Sequence, residues 1–94
     1  MALPDDIIAK VRHDFSGGET LPVIEMLTDL QRENAQLFTD RILRCIVFTA
    51  AGSFDHLAEA VALARLDWRD LIVGAEYDGH FGAQQRDLSS PFVV

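Results

Sequence analysis

A nearly uninterrupted apolar run in the middle of the chain constrains its fold more than any other feature. Between Ile42 and Ala51 only Arg44 and Thr49 are polar, so an α-helix here would be apolar around most of its circumference. Such a helix must be covered by other elements, yet the run is shorter than the roughly 20 apolar residues that cross a bilayer. We therefore expect the central helix of a small soluble domain, with Arg41 and Arg44 marking the narrow edge that reaches water.

Caps, breakers and helical spacing of apolar residues divide the chain into about five helices. Gly17-Gly18 ends the first, Thr20 is a candidate N-cap for the second, and Gly52-Ser53 is the clearest boundary, with Gly after one helix and Ser capping the next. The predicted helices cover about 4–16, 20–34, 39–51, 53–66 and 67–77, and a tail follows over 78–94. The expected fold is all-α, with antiparallel hairpins arranged around the central helix and an extended tail.

The apolar stripes of these helices indicate which residues we expect in the core. Asn34 is a reasonable stop for the second helix, and Asp67 is expected to cap the fifth. The segment 83–88 has the composition of one further helical turn. The expected inward-facing residues of the first, second, fourth and fifth helices are Ile7, Ile8, Val11 and Phe15; Val23, Met26, Leu27 and Leu30; Phe54, Leu57, Val61 and Ala64; and Trp68, Leu71, Ile72 and Ala75.

Size and composition favour association. A chain of 94 residues buries only roughly 60–65 % of its unfolded surface. Its 49 % hydrophobic content and mean hydropathy of +0.11 are high for that size, and a small core cannot hide every apolar side chain. We therefore expect a homo-oligomer or a surface covered by a partner.

The charge limits the kinds of partner. A net charge of −7 and a pI near 4.6 oppose binding to phosphate backbones, which depends on clusters of Lys and Arg. Nucleic acid is therefore not an expected partner, and neither is a membrane. A basic protein partner fits the charge, although many acidic proteins have none.

The sequence contains few residues that are arranged as a catalytic site would need. Cys45 is the only cysteine, so an internal disulfide is excluded, and it lies in the most apolar helix. His13 and His56 have no Ser or Cys arranged as nucleophile and base. The amino terminus lacks the basic and apolar regions of a signal peptide, so a cytoplasmic location is expected. We predict a protein that is not an enzyme and needs no cofactor.

One polar cluster leaves a metal-dependent hydrolase open as an alternative. Glu76, Asp78 and His80 lie close together at the end of the fifth predicted helix, and carboxylates with neutral His are common metal ligands. Metal sites usually need three or more convergent ligands, and a helix that ends in a solvated Asp-Gly turn explains the same residues. No metal site is therefore predicted.

Two stretches resemble known protein classes. Residues 45–63 resemble the helix–Gly–helix core of an ankyrin-type or HEAT-type unit, and a faint echo relates residues 18–27 to residues 52–61. The Thr-Pro-Leu-His opening of ankyrin units is absent, so the resemblance implies a helical hairpin and does not establish a solenoid. Residues 67–78 and 86–92 look like the end of short hypothetical bacterial proteins, and that resemblance implies no activity.

The predicted function is therefore a small, acidic protein-interaction module. We expect it to self-associate as a homodimer, and its charge suggests an immunity- or antitoxin-like neutraliser of a basic partner. Candidate contact residues are Trp68, Arg69, Phe92, Val93 and Val94, because Trp and Arg are over-represented at interface hot spots. For Trp68 we favour packing under the fourth helix, with Arg69 facing water. The alternative is an accessory subunit that docks through its apolar tail.

Overall fold

A computed structural model describes residues 3–77 and 82–92. It contains four α-helices within those ranges: α1 (Asp5–Asp14), α2 (Thr20–Glu33), α3 (Asp40–Ala50) and α4 (Phe54–Glu76), with a short 3₁₀ turn at Gly17–Glu19. No strand lies in these ranges; Tyr77 and Gln84 form an isolated antiparallel bridge. The prediction of an all-α fold is confirmed.

The helix count differs from the prediction because α4 spans both the fourth and the fifth predicted helices. Asp67 lies at the predicted boundary and has non-helical backbone angles (φ −156°, ψ 91°). Its carboxylate accepts a hydrogen bond from the Arg69 amide at 3.1 Å, as an N-cap does. The residue expected to act as a cap does so, but the chain continues through it as one kinked helix.

The apolar run forms α3, and six consecutive residues of that helix, 42–47, are buried. The closest helix packing joins α3 to α4, while α1 lies against both α2 and α3. The backbones of α2 and α3 make no comparable approach, so the predicted succession of hairpins is present only in part. The expectation that Arg44 marks a water-facing edge is wrong, because only 6 % of Arg44 is exposed.

Local sequence explains where the helices begin and end. Thr39 and Ser53 cap α3 and α4 by accepting hydrogen bonds from the amides of Ile42 and His56. Asn34 ends α2 as expected. Thr20, the predicted N-cap, is instead the first residue of α2, and its hydroxyl donates to the Phe15 carbonyl.

Gly52 is required where α3 turns into α4. Its φ is +84°, and a Cβ at this position would lie 2.7 Å from the carbonyl oxygen of Asp14. The turn therefore packs directly on the end of α1. A side chain here would meet both backbone strain and a steric clash.

The core follows the predicted stripes in α1 and α2 more closely than in α4. Ile7, Val11 and Phe15 are buried, as are Val23, Leu27 and Leu30 on α2. On α4 the buried side is formed by Leu57, Ala60, Ala64, Leu71, Ala75 and Glu76, whereas Phe54 is 40 % exposed and Trp68 is 44 % exposed. The predictions that Phe54 and Trp68 face inward are wrong, because small alanines occupy the packed side.

Residues 82–92, the described part of the tail, pack against the helices of the same chain. They form no helix, so the helical turn expected at 83–88 is not present. Leu88 is buried in the core and Phe92 packs against it. The amides of Gln85 and Arg86 donate to the Glu76 carbonyl at 2.6 and 3.2 Å. None of the described helices is long and apolar enough to cross a membrane.

Candidate interaction surface at the kink of α4

The kink in α4 produces a turn in which every residue is exposed. Residues 65–70, which we call the α4 corner, have the sequence Arg-Leu-Asp-Trp-Arg-Asp. Asp67 interrupts the helical backbone in the middle of this turn, and its hydrogen bond to the Arg69 amide starts the second half of the helix. The α4 corner therefore presents more than one full helical turn to its surroundings.

Two large apolar side chains dominate the α4 corner. Leu66 is 85 % exposed and Trp68 is 44 % exposed. The Arg69 guanidinium lies 5.4 Å from the Trp68 ring centroid, a distance typical of a cation–π contact. Single exposed apolar residues are ordinary, whereas two large ones on the same short segment make it a candidate interaction site.

A groove of about 450 Å³ opens beside Trp68, within the range of about 300–1,000 Å³ seen for ligand sites. Its walls mix apolar side chains with amide, hydroxyl and guanidinium groups. The lining residues are Asn34, Gln36, Leu37, Thr39, Arg41, Ile42, Trp68 and Ile72. The groove could therefore accept one or two apolar side chains together with hydrogen-bonding groups.

The charges at the α4 corner are balanced. Arg65 forms a two-pronged ion pair with Glu33 of α2, at 3.0 and 2.9 Å. Arg69 lies over Trp68, and the carboxylates of Asp67 and Asp70 are exposed. Two cations and two anions thus occupy the corner itself, in a chain whose net charge is −7.

A buried ion pair lies behind the groove. The Glu76 carboxylate is fully buried and accepts hydrogen bonds from Nε and Nη2 of Arg41, both at 2.8 Å, and from the Gln84 amide at 2.9 Å. The hydrogen bonds from Arg41 lower the pKa of Glu76 despite its burial. This pair joins the start of α3 to the end of α4 and to the tail.

A second ion pair fixes the rest of the tail. Arg44 donates to both oxygens of Asp6, at 2.9 and 3.2 Å, and also to the carbonyls of Leu88 and Ser89. Asp6 in turn accepts from the Phe92 amide at 3.0 Å. The hydrogen bonds from Arg44 hold the pKa of Asp6 below its ordinary value. The two arginines of the apolar helix therefore act as structural anchors.

The Cys45 thiol is buried beside the carboxylate of Glu76, with its sulfur 3.9 Å from a Glu76 oxygen. Burial, together with the nearby negative charge, raises the pKa of Cys45 to about 12. A thiol in this state is a poor nucleophile at neutral pH. Cys45 is fully buried, as is usual for a free cysteine in an apolar helix.

The alternative metal site depends on Glu76, Asp78 and His80, of which Asp78 and His80 lie outside the described residues. Glu76 is bonded to Arg41 and Gln84, so a metal ion would have to displace an arginine. Among residues 3–77 and 82–92 no group of three metal-ligating side chains occurs.

The predicted contact residues fall in two separate places. Trp68 and Arg69 lie together at the α4 corner, whereas Phe92 lies against α1, with the Lys10 ammonium 5.7 Å from its ring. Val93 and Val94 are outside the described residues. Sequence reasoning missed Leu66 and Leu37; the signal available for Leu66 was its place directly before the Asp67 cap.

Comparisons of the chain with protein-family models, with curated proteins and with solved structures find no match. The resemblances to helical-hairpin repeats and to short bacterial proteins therefore stay predictions.

Proposed function

We propose that the chain is a small, non-catalytic binding module that recognises another protein through the α4 corner. The observation that carries this proposal is the exposure of two large apolar side chains, Leu66 and Trp68, within the α4 corner, together with the groove that Trp68 lines. Holding Leu66 in water gains nothing for the fold of this chain. Trp and Arg are enriched at the energetic centres of interfaces, and Trp68 with Arg69 supplies both.

The distribution of charge supports a second part of this proposal, which is that the partner is a basic protein. Five of the basic side chains are paired with the chain's own carboxylates: Lys10, Arg32, Arg41, Arg44 and Arg65. Carboxylates such as Asp55 and Glu59 on α4 are exposed and have no ion pair within the described part of the chain. Each pair neutralises one cation and one anion, so the charges outside these pairs still carry the net −7, and such an acidic surface attracts basic proteins. A cytoplasmic neutraliser of the immunity or antitoxin type fits this charge.

The two alternatives receive less support. An accessory subunit that docks through its tail needs a free tail, but residues 82–92 are bonded to Asp6, Arg44 and Glu76 of the same chain. A metal-dependent hydrolase needs Glu76 as a ligand, and Arg41 occupies both of its oxygens.

Affinity capture from an extract of the source organism tests the proposal. The immobilised wild-type chain, Leu66→Glu and Leu21→Glu are compared; Leu21 is 67 % exposed on α2 and serves as the matched control. We expect a protein that the wild type and Leu21→Glu retain and that Leu66→Glu loses. Release of that protein by added salt would support a basic partner. Retention of the same proteins by all three baits would contradict a role for the α4 corner.

A further inference from the structure

The groove beside Trp68 has walls that the fold holds in place. One wall is the segment 34–39 between α2 and α3, where the Phe38 amide donates to the Asn34 carbonyl at 2.9 Å and the Phe38 side chain is fully buried. The other wall includes Trp68 and Ile72, which lie one turn apart on α4. Because these walls are ordered before anything binds, a ligand in the groove would lose little affinity to their ordering.

The polar groups that the groove offers are mainly hydrogen-bond donors. The side-chain oxygen of Asn34 accepts from the Leu37 amide at 3.1 Å, and that of Thr39 accepts at 3.3 Å from an amide in the first turn of α3. The NH₂ group of Asn34 and the O–H of Thr39 donate to no group in the described part of the chain. Glu76 takes Nε and Nη2 of Arg41, which leaves Nη1 available. A ligand in the groove would therefore need acceptor atoms.

The charges around the groove favour an uncharged ligand. Arg41 is the charged residue among the described residues that line it, and the Glu76 carboxylate at 2.8 Å balances that charge. No carboxylate occurs among these lining residues, so a cation would find no counterion there. An anion would be repelled by a chain whose net charge is −7. The remaining polar side chain, Gln36, is exposed and neutral.

We propose that this groove binds a small, uncharged molecule with an aromatic body and a carbonyl oxygen. The carbonyl accepts from the donors of Asn34, Thr39 and Arg41, and the aromatic body packs beside the Trp68 ring. The apolar lining residues are Leu37, Ile42, Trp68 and Ile72. This inference goes beyond the recognition of a protein partner, because Leu66, which is central to that proposal, does not line the groove.

Three probes that share a phenylethyl skeleton test the chemical class of the ligand. Benzylacetone carries a ketone, hydrocinnamate a carboxylate and phenylpropylammonium an ammonium group. Each is titrated into the full chain and followed by NMR through the indole N–H of Trp68, which is the only tryptophan and gives a single resonance. We expect a dissociation constant of about 1 mM or less for the ketone and values at least about tenfold higher for both ions. Equal binding of all three, or no shift with the ketone up to about 10 mM, would overturn the inference.

The substitution Asn34→Asp tests the role of the donors, with circular dichroism to show that each variant is folded. It keeps the oxygen that accepts from the Leu37 amide and replaces the NH₂ group with a negative charge. Binding of the ketone should weaken by at least about threefold, and binding of the ammonium probe should strengthen by at least about threefold. Unchanged binding of both probes would contradict the assignment.

The control Leu66→Glu separates this inference from the proposed function. It should abolish capture of the protein partner but leave the dissociation constant of benzylacetone within about twofold of the wild-type value, because Leu66 does not line the groove. Loss of benzylacetone binding in folded Leu66→Glu would place the ligand outside the groove and overturn the inference. Capture that depends on Leu66 would support the proposed function whatever the probes show.

Discussion

Replacing Glu76 with glutamine tests how much stability the buried ion pair contributes. The substitution Glu76→Gln keeps the size of the side chain and removes its charge. In the wild type, the carboxylate accepts two hydrogen bonds from Arg41 at 2.8 Å and one from Gln84 at 2.9 Å. A glutamine amide at this position could satisfy only part of this set, because its NH₂ group would face donors.

The expected loss follows from the burial of the two partners. Removing one member of a buried ion pair costs about 3–5 kcal/mol when the other charge stays buried. The Arg41 side chain is 39 % exposed, so its guanidinium can turn towards water and recover part of that cost. We therefore expect a decrease of about 2–3 kcal/mol in the free energy of unfolding, and a melting temperature lower by about 8–24 °C.

Urea and thermal unfolding at neutral pH, followed by circular dichroism, measure this change. Glu33→Gln is the matched control, because Glu33 forms the same two-pronged pair with Arg65, at 3.0 and 2.9 Å. That pair is exposed, with 45 % and 54 % of the Arg65 and Glu33 side chains accessible, so its loss should barely change stability. Equal losses in the free energy of unfolding for the two substitutions would refute the reasoning that burial makes the Glu76 pair more stabilising than the Glu33 pair.

Three other predictions concern acid, thiol chemistry and backbone geometry. Hydrogen bonds from arginines lower the pKa values of Asp6 and Glu76 below their ordinary 3.8 and 4.5, so in acid the unfolded chain binds more protons than the folded chain. The free energy of unfolding should therefore be steady above these pH values and fall as the pH drops below them. An increase in the free energy of unfolding at acid pH, measured by urea titration, would contradict this. The Cys45 thiol, with its pKa raised to about 12 by burial, should react with a disulfide reagent only after unfolding, and rapid labelling of the folded chain would show that the thiol is accessible. Gly52→Ala should lower the free energy of unfolding by about 2 kcal/mol or more, because φ is +84° and the new Cβ would meet backbone at 2.7 Å. Gly18→Ala, which has open space around it, is its control in the same urea titration, and equal losses would argue against the clash.

Local sequence signals are sufficient to predict much of the helical framework. The run that forms α3 is rich in apolar residues, and residues 42–47 of that helix are buried. The turn at Gly52-Ser53 and the stop at Asn34 depend on conformations and caps that few residue types provide. These features are local, and one sequence is enough to read them.

The ion pairs could not be predicted, because their partners lie far apart in sequence. Arg41 and Glu76 are separated by 35 residues and Asp6 and Arg44 by 38. Two arginines within an apolar helix suggest a solvated edge, since lysine and arginine rarely lie buried without a partner. Three-dimensional packing supplies those partners and thereby determines the path of the tail.

The orientation of α4 differs from the prediction for a related reason. Periodicity in an alanine-rich helix does not distinguish the packed face from the exposed one, since alanine fits both. The helix packs closely through Ala60 and Ala64, which leaves Phe54 and Trp68 outward. The same packing produces the candidate site, which the sequence indicates only through Trp68 and Arg69.

The accessibility of Trp68 in the free chain and in its complex shows whether the α4 corner is the binding surface. Trp68 is the only tryptophan, so quenching of intrinsic fluorescence by acrylamide reports on the α4 corner alone, provided that the captured partner lacks tryptophan or the partner is a second copy. We expect ready quenching in the dilute, free chain and protection, with a blue-shifted emission, in the complex. Equal quenching in both states would contradict the claim that the α4 corner is the binding surface.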